Sequence, residues 1–271
     1  MSWKVLITAR AFSVVGEPAC ELLKANGCEV VIPDQFGPLA PDRLRREMEG
    51  MDAVLCSPDP YTREFMQMPE AASLKIISRW GVGYDSIDVP AATESGIVVG
   101  YTPGLLDEAV ADYAFALLLT LARHTADVHA DMKDGKWKVA WGCDIGGKTL
   151  GIVGCGRIGQ AVARRAKGFG MRLLCYDVFE NPAAKELGVE YVSMETLLAE
   201  SHFVTLHAAL TPENHGMFSE AQFRQMKSDA LFVNTARGAH ETRTSRSHFS
   251  QAAPPALHRF LPHWLRANIS Q

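Results

Sequence analysis

Short apolar runs alternate with amphipathic, helix-like stretches along most of this 271-residue chain. The first five runs cover residues 3–8, 29–33, 53–57, 75–79 and 96–100. A second series starts near Lys148, and its runs cover residues 149–154, 172–177, 190–192, 203–207 and 231–236. Alternating strand and helix patterns are typical of parallel sheets covered by helices. The pattern therefore predicts an α/β fold with two doubly wound parallel-sheet domains.

A long helix is predicted between the two series, from about Leu105 to Arg123. Asp107 and Glu108 open it, and acidic residues suit a helix N-terminus. Its uncharged apolar run, Tyr113–Ala122, has ten residues, which is too few to cross a bilayer. We therefore expect a buried helix and no membrane partner. The domain boundary is placed here, with a first domain over residues 1–100 and a second over 101–238.

The chain changes in kind after Gly238. Residues 239–271 contain no Gly, Val, Lys, Asp or Tyr, and they carry four of the nine histidines: His240, His248, His258 and His263. No strand or helix periodicity is sustained there. One hypothesis is a truncated or frame-shifted sequence, with the second domain missing its last strands. The alternative is a natural disordered or partner-binding tail.

Composition narrows the class of protein. The net charge is -4 and the pI is about 6.1, which argues against nucleic-acid binding. Six cysteines are scattered without a CxxC pair, and the N-terminal segment is a strand pattern rather than a signal peptide. Reduced cysteines and a cytoplasmic location are expected. No cluster has the spacing of metal ligands, so no metal is expected.

A glycine-rich motif opens the second series of strands. Gly154, Gly156 and Gly159 have G-x-G-x-x-G spacing between an apolar strand and a helix, and Asp177 ends the next strand 18 residues later. The three glycines suit a tight turn, a close approach of backbone to pyrophosphate, and packing of the helix on the strand. Asp177 suits the ribose hydroxyls and would repel a 2′-phosphate. The motif predicts NAD rather than NADP.

Three further strand ends carry candidate chemistry. Val82 and Gly83 could present N–H groups to a carboxylate, although spacing alone favours an ordinary turn. Arg237 could bind a carboxylate through a bidentate pair of hydrogen bonds, or it could form a surface salt bridge. Its position in the sequence does not distinguish between these two roles. His207 is interpreted as a wall of the cofactor site rather than as an acid–base group.

Several motifs occur together in a recognisable order: "RWGVGYDSID", "GKTLGIVGCGRIGQAVARRAKGFGMRLLCYD", "LHAALTPENHGMF" and "MKSDALFVNTARG". Over about residues 3–238 the chain resembles the D-isomer-specific 2-hydroxyacid dehydrogenases, particularly their D-3-phosphoglycerate dehydrogenase-like branch. The resemblance implies two Rossmann-like, flavodoxin-like domains, the first binding substrate and the second NAD. It also implies a homodimer and hydride transfer between NAD and C2 of a 2-hydroxy or 2-keto acid.

The resemblance also assigns roles to individual residues. It implies that Val82 and Gly83 hold the substrate carboxylate, against the turn interpretation, and that Arg237 is the substrate-orienting catalytic arginine. Beside the three glycines, the implied cofactor contacts are Arg157, Ile158, Asp177, His207, Ala208, Thr211, Thr235 and Ala236.

The chain departs from the family pattern after its arginine. In the family an acid–base histidine and its glutamate partner follow well beyond that residue. Glu241 lies too close to Arg237 to match the glutamate, and His258 and His263 lack the expected strand-then-Pro-His context. We therefore predict an enzyme of this type by ancestry that is inactive or weakly active. The alternative is a non-catalytic NAD(H)-binding sensor or partner-binding protein. "GYTPG" and "LCSPDP" also depart from the family, so the sequence does not identify the 2-hydroxy acid.

Overall fold

The computed structural model describes residues 2–242. The chain divides into two compact units, the first ending at Leu106 and the second beginning at Asp107. Each unit contains one five-stranded sheet in which every pairing is parallel. The predicted α/β fold with two doubly wound parallel sheets is confirmed. The expectation about missing last strands concerns residues outside the described part of the chain.

The first unit is built from five short strands and five helices. The strands are β1 (Lys4–Ile7), β2 (Glu29–Val31), β3 (Ala53–Cys56), β4 (Ile76–Arg79) and β5 (Val98–Gly100). The helices are α1 (Phe12–Val15), α2 (Glu17–Ala25), α3 (Pro41–Met48), α4 (Arg63–Met66) and α5 (Val89–Glu94). The strand order is β2-β1-β3-β4-β5. The order reverses between β1 and β3, where a doubly wound sheet forms its crevice.

The second unit repeats the plan, and two of its helices are longer than any in the first. Its strands are β6 (Thr149–Val153), β7 (Arg172–Tyr176), β8 (Val189–Tyr191), β9 (Phe203–Leu206) and β10 (Leu231–Asn234). Its helices are α6 (Asp107–Ala122), α7 (Thr125–Lys133), α8 (Arg157–Gly168), α9 (Pro182–Glu186), α10 (Met194–Glu200) and α11 (Glu220–Gln225). The order β10-β9-β6-β7-β8 reverses between β6 and β9.

Burial explains why the central strands read as continuous apolar runs. All five residues of β6 and all four of β9 are buried. A parallel sheet covered on both faces requires apolar side chains at consecutive positions rather than alternate ones. One face of the second sheet packs in a cluster with Ala111, Phe115 and Val162, and the other in a cluster with Leu197 and Phe218.

The predicted long helix is α6. It begins at Asp107 rather than Leu105, and its acidic first turn accepts hydrogen bonds from α8. The Arg165 guanidinium donates from Nη1 to Glu108 Oε2 at 2.7 Å and from Nε to Asp112 Oδ1 at 2.7 Å. The acidic opening therefore helps to seat α6 against α8, the helix that follows the glycine motif.

The composition changes after Gly238, but the residues that follow directly still pack against the second unit. Residues Gly238–His240 form a 3₁₀ turn, and His240 is fully buried. Phe218 donates its N–H to the His240 carbonyl at 2.8 Å and accepts from the Thr242 N–H at 3.1 Å. The first four residues of the segment 239–271 are thus part of the second unit. The remaining ones, 243–271, lie outside the described residues, as do His248, His258 and His263.

Among residues 2–242, no helix is long and apolar enough to cross a membrane.

Candidate cofactor and substrate sites

Strand register brings the predicted cofactor residues to one edge of the second sheet. Val153 of β6 is in register with Leu206 of β9 and with Tyr176 of β7, and Leu206 is in register with Asn234 of β10. The residues that directly follow these four strands are Gly154, Asp177, His207 and Thr235. They therefore lie side by side along the carboxyl edge of the sheet. The carboxyl edge at a reversal of strand order is where doubly wound sheets bind ligands.

Gly154 and Gly159 are required by close backbone contacts. Gly154 has φ +91°, and a Cβ there would lie 2.5 Å from the Ala208 backbone nitrogen. A Cβ on Gly159 would lie 2.2 Å from the Gly154 carbonyl oxygen. The turn after β6 therefore touches the end of β9, and α8 packs directly on that turn.

Gly156 differs from the other two glycines, because a Cβ on it would meet no atom within 4 Å. It is exposed and is the N-cap of α8, with no side chain capping the helix. Within the described residues, the N–H groups of Arg157 and Ile158 donate to no protein acceptor. The result is an open cradle with N–H groups at the positive end of a helix, which suits a pyrophosphate.

Asp177 is tied to the same turn. Its Oδ2 accepts from the Cys155 N–H at 2.6 Å and its Oδ1 from the Val178 N–H at 2.7 Å. Each carboxylate oxygen has further lone pairs that can accept from ribose hydroxyls. The two backbone donors fix the carboxylate beside the cradle, as the spacing of the motif predicts.

His207 joins the ends of β9 and β10. Its Nε2 lies 2.8 Å from the Thr205 hydroxyl and its Nδ1 lies 3.1 Å from the Thr235 hydroxyl. Desolvation lowers the pKa of His207 from 6.5 to about 4. A neutral ring can donate at one nitrogen and accept at the other, so both hydroxyl contacts are satisfied without charge.

The structure gives Thr211 a local role. It lies at the N-terminus of the 3₁₀ turn Pro212–Asn214, in a capping box with Asn214. Its own N–H donates to Asn214 Oδ1 at 2.8 Å. Ala208 takes part through its backbone, which closes over Gly154. These two predicted cofactor residues shape the loop after β9.

Arg237 follows β10, with its backbone held from two sides. Its carbonyl accepts from Asn234 Nδ2 at 2.9 Å and lies 3.1 Å from His240 Nδ1. Its guanidinium Nη1 donates to the Ala236 carbonyl at 2.9 Å, and the Ala236 N–H donates to Asn234 Oδ1 at 2.9 Å. Asn234 also donates to Glu241 Oε1 at 2.6 Å. The loop that carries Arg237 is therefore a hydrogen-bonded unit.

The loop with Val82 and Gly83 lies in the first unit, after β4. Gly81 has φ +142°, a conformation that favours glycine. Arg79 Nε donates to the Gly83 carbonyl at 3.0 Å, and its Nη1 donates to the Trp80 carbonyl. In the described part of the chain, the Val82 and Gly83 N–H groups have no protein acceptor. The arginine turns the loop carbonyls inward, which leaves adjacent N–H donors for an anion.

Sequence reasoning missed the residues that support these sites. Arg79 braces the Val82–Gly83 loop, Asn234 holds the Arg237 loop, and Thr205 holds His207. Each lies in or at the end of a strand that the pattern predicted. Its place in that strand was therefore the only feature of the sequence that could have indicated a supporting role. Within residues 2–242, no group of three or more His, Cys, Asp or Glu side chains is arranged to hold a metal ion.

Comparison with known proteins identifies the family. The family model described as "D-isomer specific 2-hydroxyacid dehydrogenase, NAD binding domain" matches residues 115–244. A glyoxylate reductase of Thermofilum pendens is 36% identical over 235 residues, which cover 83% of this chain and 68% of that protein. This chain belongs to the D-isomer specific 2-hydroxyacid dehydrogenase family. The sequence resemblance is confirmed, and NAD is confirmed as the cofactor of the second unit.

Two further relatives place the chain within this dehydrogenase family. A glyoxylate reductase of Korarchaeum cryptofilum is 53% identical over 187 residues, which cover 66% of this chain and 56% of that protein. D-lactate dehydrogenase of Aquifex aeolicus, solved with NAD and lactic acid, has a TM-score of 0.81 at 28% identity, covering 93% of this chain and 74% of that one. The chain thus spans little more than half the length of the first of these relatives.

Proposed function

We propose that this protein is an NAD-dependent oxidoreductase that interconverts a small 2-hydroxy acid and its 2-keto acid. The observation that carries the proposal is the open cradle at Gly156, with free N–H donors on α8 and the fixed carboxylate of Asp177. The glyoxylate reductases among the relatives favour glyoxylate as the first substrate to test.

In this proposal the second unit holds the cofactor by its backbone. The N–H groups of Arg157 and Ile158 donate to the pyrophosphate, and Asp177 accepts from the ribose hydroxyls. The negative carboxylate disfavours a 2′-phosphate at the same place. His207, Ala208, Thr211, Thr235 and Ala236 form the wall along the ends of β9 and β10. When bound, NAD supplies or accepts the hydride.

Substrate carboxylate and carbonyl groups need separate donors. In this proposal the Val82 and Gly83 N–H groups hold the carboxylate, because Arg79 fixes the loop that presents them. Arg237 orients the substrate through its guanidinium, a planar fork suited to carboxylate or carbonyl oxygens. The clamp on its backbone by Asn234 and His240 supports this role by limiting the freedom of the loop.

A second candidate function is NAD(H) binding without efficient turnover. His207 follows β9 directly, and His240 lies in the 3₁₀ turn after β10. His207 has a pKa of about 4 and both ring nitrogens engaged, and His240 is fully buried. A general base works best when its pKa lies near the working pH. Neither histidine fits that task, which favours a slow enzyme or a sensor.

Binding and turnover measurements separate the two candidates. NADH fluorescence is titrated with the full chain, and glyoxylate reduction is followed by NADH absorbance. Asp177→Asn is expected to weaken NADH binding about tenfold, because a charged hydrogen-bond acceptor is lost. The exposed Glu186→Gln, in the same unit, serves as a matched control. Unchanged NADH affinity in Asp177→Asn contradicts the proposed site, and tight binding with no turnover of any 2-keto acid favours the sensor.

Assembly and location are further proposals. Trp137, Val139 and Trp141 are 85%, 72% and 89% exposed. Large apolar side chains that are this exposed, three within five residues, suit an interface, and we propose that a second copy covers them in a homodimer. Sedimentation of the wild type and of Trp141→Ser tests this, since the variant is expected to dissociate more readily. Six free cysteines support a reducing compartment, the cytoplasm.

A further inference from the structure

Two buried thiols lie in contact beneath the cofactor cradle. Cys155 stands between Gly154 and Gly156, and Cys175 lies in β7. Both are buried in the same apolar cluster, and their side chains hydrogen-bond each other. Of the six free cysteines in the described residues, these two have thiols that interact with each other. Neither thiol has a role in the proposed hydride transfer.

The environment of Cys155 favours its thiolate. The hydrogen bond from Cys175 lowers the pKa of the Cys155 thiol, and a hydrogen bond from Tyr191 acts in the same direction, although burial and the negative charge of Asp177 oppose both. Cys155 also immediately precedes the N-cap of α8, where the helix dipole favours a negative charge. The Cys175 thiol keeps its proton, because its bond to Cys155 and burial raise its pKa.

The two cysteines differ in their freedom to move. Cys175 is paired on both sides, with Ile152 of β6 and with Tyr191 of β8. Cys155 lies in the turn after β6. A covalent bond between the sulfurs is shorter than their hydrogen-bonded contact. The turn rather than the strand would therefore move to close the gap.

We infer that Cys155 and Cys175 form a peroxide-sensitive thiol pair whose oxidation to a disulfide disables the NAD cradle. The Cys155 N–H donates to Asp177 Oδ2 at 2.6 Å, and the Cys155 carbonyl accepts from Gln160 of α8 at 3.0 Å. A shift of Cys155 therefore displaces both the ribose acceptor and the start of the helix. The inference rests on the proposed cofactor site and adds its regulation.

The chemistry balances with a hydroperoxide as oxidant. The Cys155 thiolate attacks one peroxide oxygen, so that an S–O bond forms, the O–O bond breaks, and hydroxide leaves and is protonated to water. The Cys175 sulfur then attacks the sulfenic sulfur. An S–S bond forms, the S–O bond breaks, and the leaving hydroxide takes the Cys175 proton. Two thiols and one hydrogen peroxide give one disulfide and two waters.

Peptide mapping reads the bond directly. Trypsin places each of the six cysteines on a different peptide, with Cys155 on residues 149–157 and Cys175 on residues 173–185. The full chain is treated with hydrogen peroxide, alkylated and digested without reduction. The expected product is the peptide 149–157 joined to the peptide 173–185. Saturating NADH is expected to slow its formation, because a pyrophosphate on Gly156 holds in place the turn that carries Cys155 and must move.

The functional readout is NADH affinity before and after oxidation. The oxidised protein is expected to bind NADH about tenfold more weakly or worse, the equivalent of one charge-assisted hydrogen bond, and dithiothreitol should restore it. Cys175→Ser is expected to bind NADH like the reduced wild type and to keep that affinity in peroxide. Cys143→Ser, which removes an exposed thiol of the same unit, is the control and should behave like wild type.

Each result bears on the inference separately from the proposed function. No joined peptide, at a peroxide dose that oxidises Cys143, overturns the thiol pair. A joined peptide with unchanged NADH affinity overturns the switch. Both mapping results are obtained on the wild type, so they stand even if Cys175→Ser fails to fold. Failure of the reduced protein to bind NADH overturns the proposed function itself.

Discussion

In the first unit the carboxylate of Asp59 lies where the loops after β1 and β3 meet, whereas in the second unit the turn after β6, at the same reversal of strand order, carries glycines. Asp59 is fully buried. Its Oδ2 accepts from the Thr8 hydroxyl at 2.5 Å, and its Oδ1 accepts from the Leu39 N–H at 2.6 Å. A Cβ on Gly37 would lie 2.3 Å from Asp59 Oδ1, so the Gly37 loop presses on the carboxylate. The first crevice is filled by the chain itself.

The second crevice is left open at Gly156, where an added Cβ meets nothing. Both sheets reverse their strand order, and both therefore form a crevice at the carboxyl edge. Topology positions a crevice, and local side chains decide whether it accepts a ligand. In the first unit the candidate donors lie instead beyond β4, in the loop with Val82 and Gly83 that Arg79 braces.

The sharpest test compares two glycines of the open crevice. Gly159→Ala is expected to lower the free energy of unfolding by about 3 kcal/mol, because its methyl meets the Gly154 carbonyl. Gly156→Ala should change it by less than about 1 kcal/mol yet weaken NADH binding more than about tenfold. Urea unfolding and NADH titration measure both. If Gly156→Ala binds NADH normally, the open cradle is not the cofactor site.

The Asp59 side chain, which fills the first crevice, should matter for the stability of the protein and not for NADH binding. Asp59→Ala leaves the Leu39 N–H and the Thr8 hydroxyl without their buried acceptor, which we expect to cost about 2–3 kcal/mol. NADH affinity should be unchanged under conditions where the protein is folded. Asp59→Asn keeps one acceptor and is the milder control. A large loss of NADH affinity in Asp59→Asn, without unfolding, would refute the assignment of the first crevice to stability and of the second to NADH binding.

The two crevices should also respond oppositely to pH. Burial raises the pKa of Asp59 above 3.8, so its stabilising contribution is greatest in acid and is lost as the pH rises through that raised pKa. Desolvation lowers the pKa of His207 from 6.5 to about 4. Its contribution is complete above pH 6.5 and is lost as the pH falls towards 4.

His207→Gln tests the second half of that contrast. The amide keeps a donor and an acceptor but does not titrate. Between pH 7 and pH 4.5 the wild type should lose roughly 2 kcal/mol more stability than the variant, a value reduced for partial solvent screening. Unfolding curves at the two pH values give the difference. Equal losses in both proteins would mean that His207 is not held neutral.

The open crevice could be predicted from sequence far better than the filled one. Gly154, Gly156, Gly159 and Asp177 lie within one strand–helix–strand stretch, and their spacing carries the geometry. Asp59 sits in "LCSPDP", which reads as an ordinary loop. Its partners Thr8 and Leu39 lie 51 and 20 residues away, and only the folded sheet brings them together.

Composition was a poor guide to where packing ends. The segment after Gly238 differs in kind from the rest, yet His240 is buried and Glu241 pairs with Phe218 in a parallel bridge. Backbone hydrogen bonds make this contact, and they do not depend on residue type. Side-chain composition therefore gave no signal for the last residues of the unit.

The smallest effect is expected at the hydroxyl that supports His207 from within the sheet. Thr205→Val keeps the shape of a buried β9 residue and removes the partner of His207 Nε2, which should cost about 1 kcal/mol. Thr205→Ser keeps the hydroxyl and is the matched control for the lost methyl group. Because Thr235 still holds Nδ1, the ring should stay in place and NADH affinity should fall less than about threefold. A larger loss of affinity than of stability would show that this hydroxyl positions the wall of the open crevice. A buried residue of β9 would then contribute to NADH binding, whereas the buried carboxylate of the filled crevice contributes to stability alone.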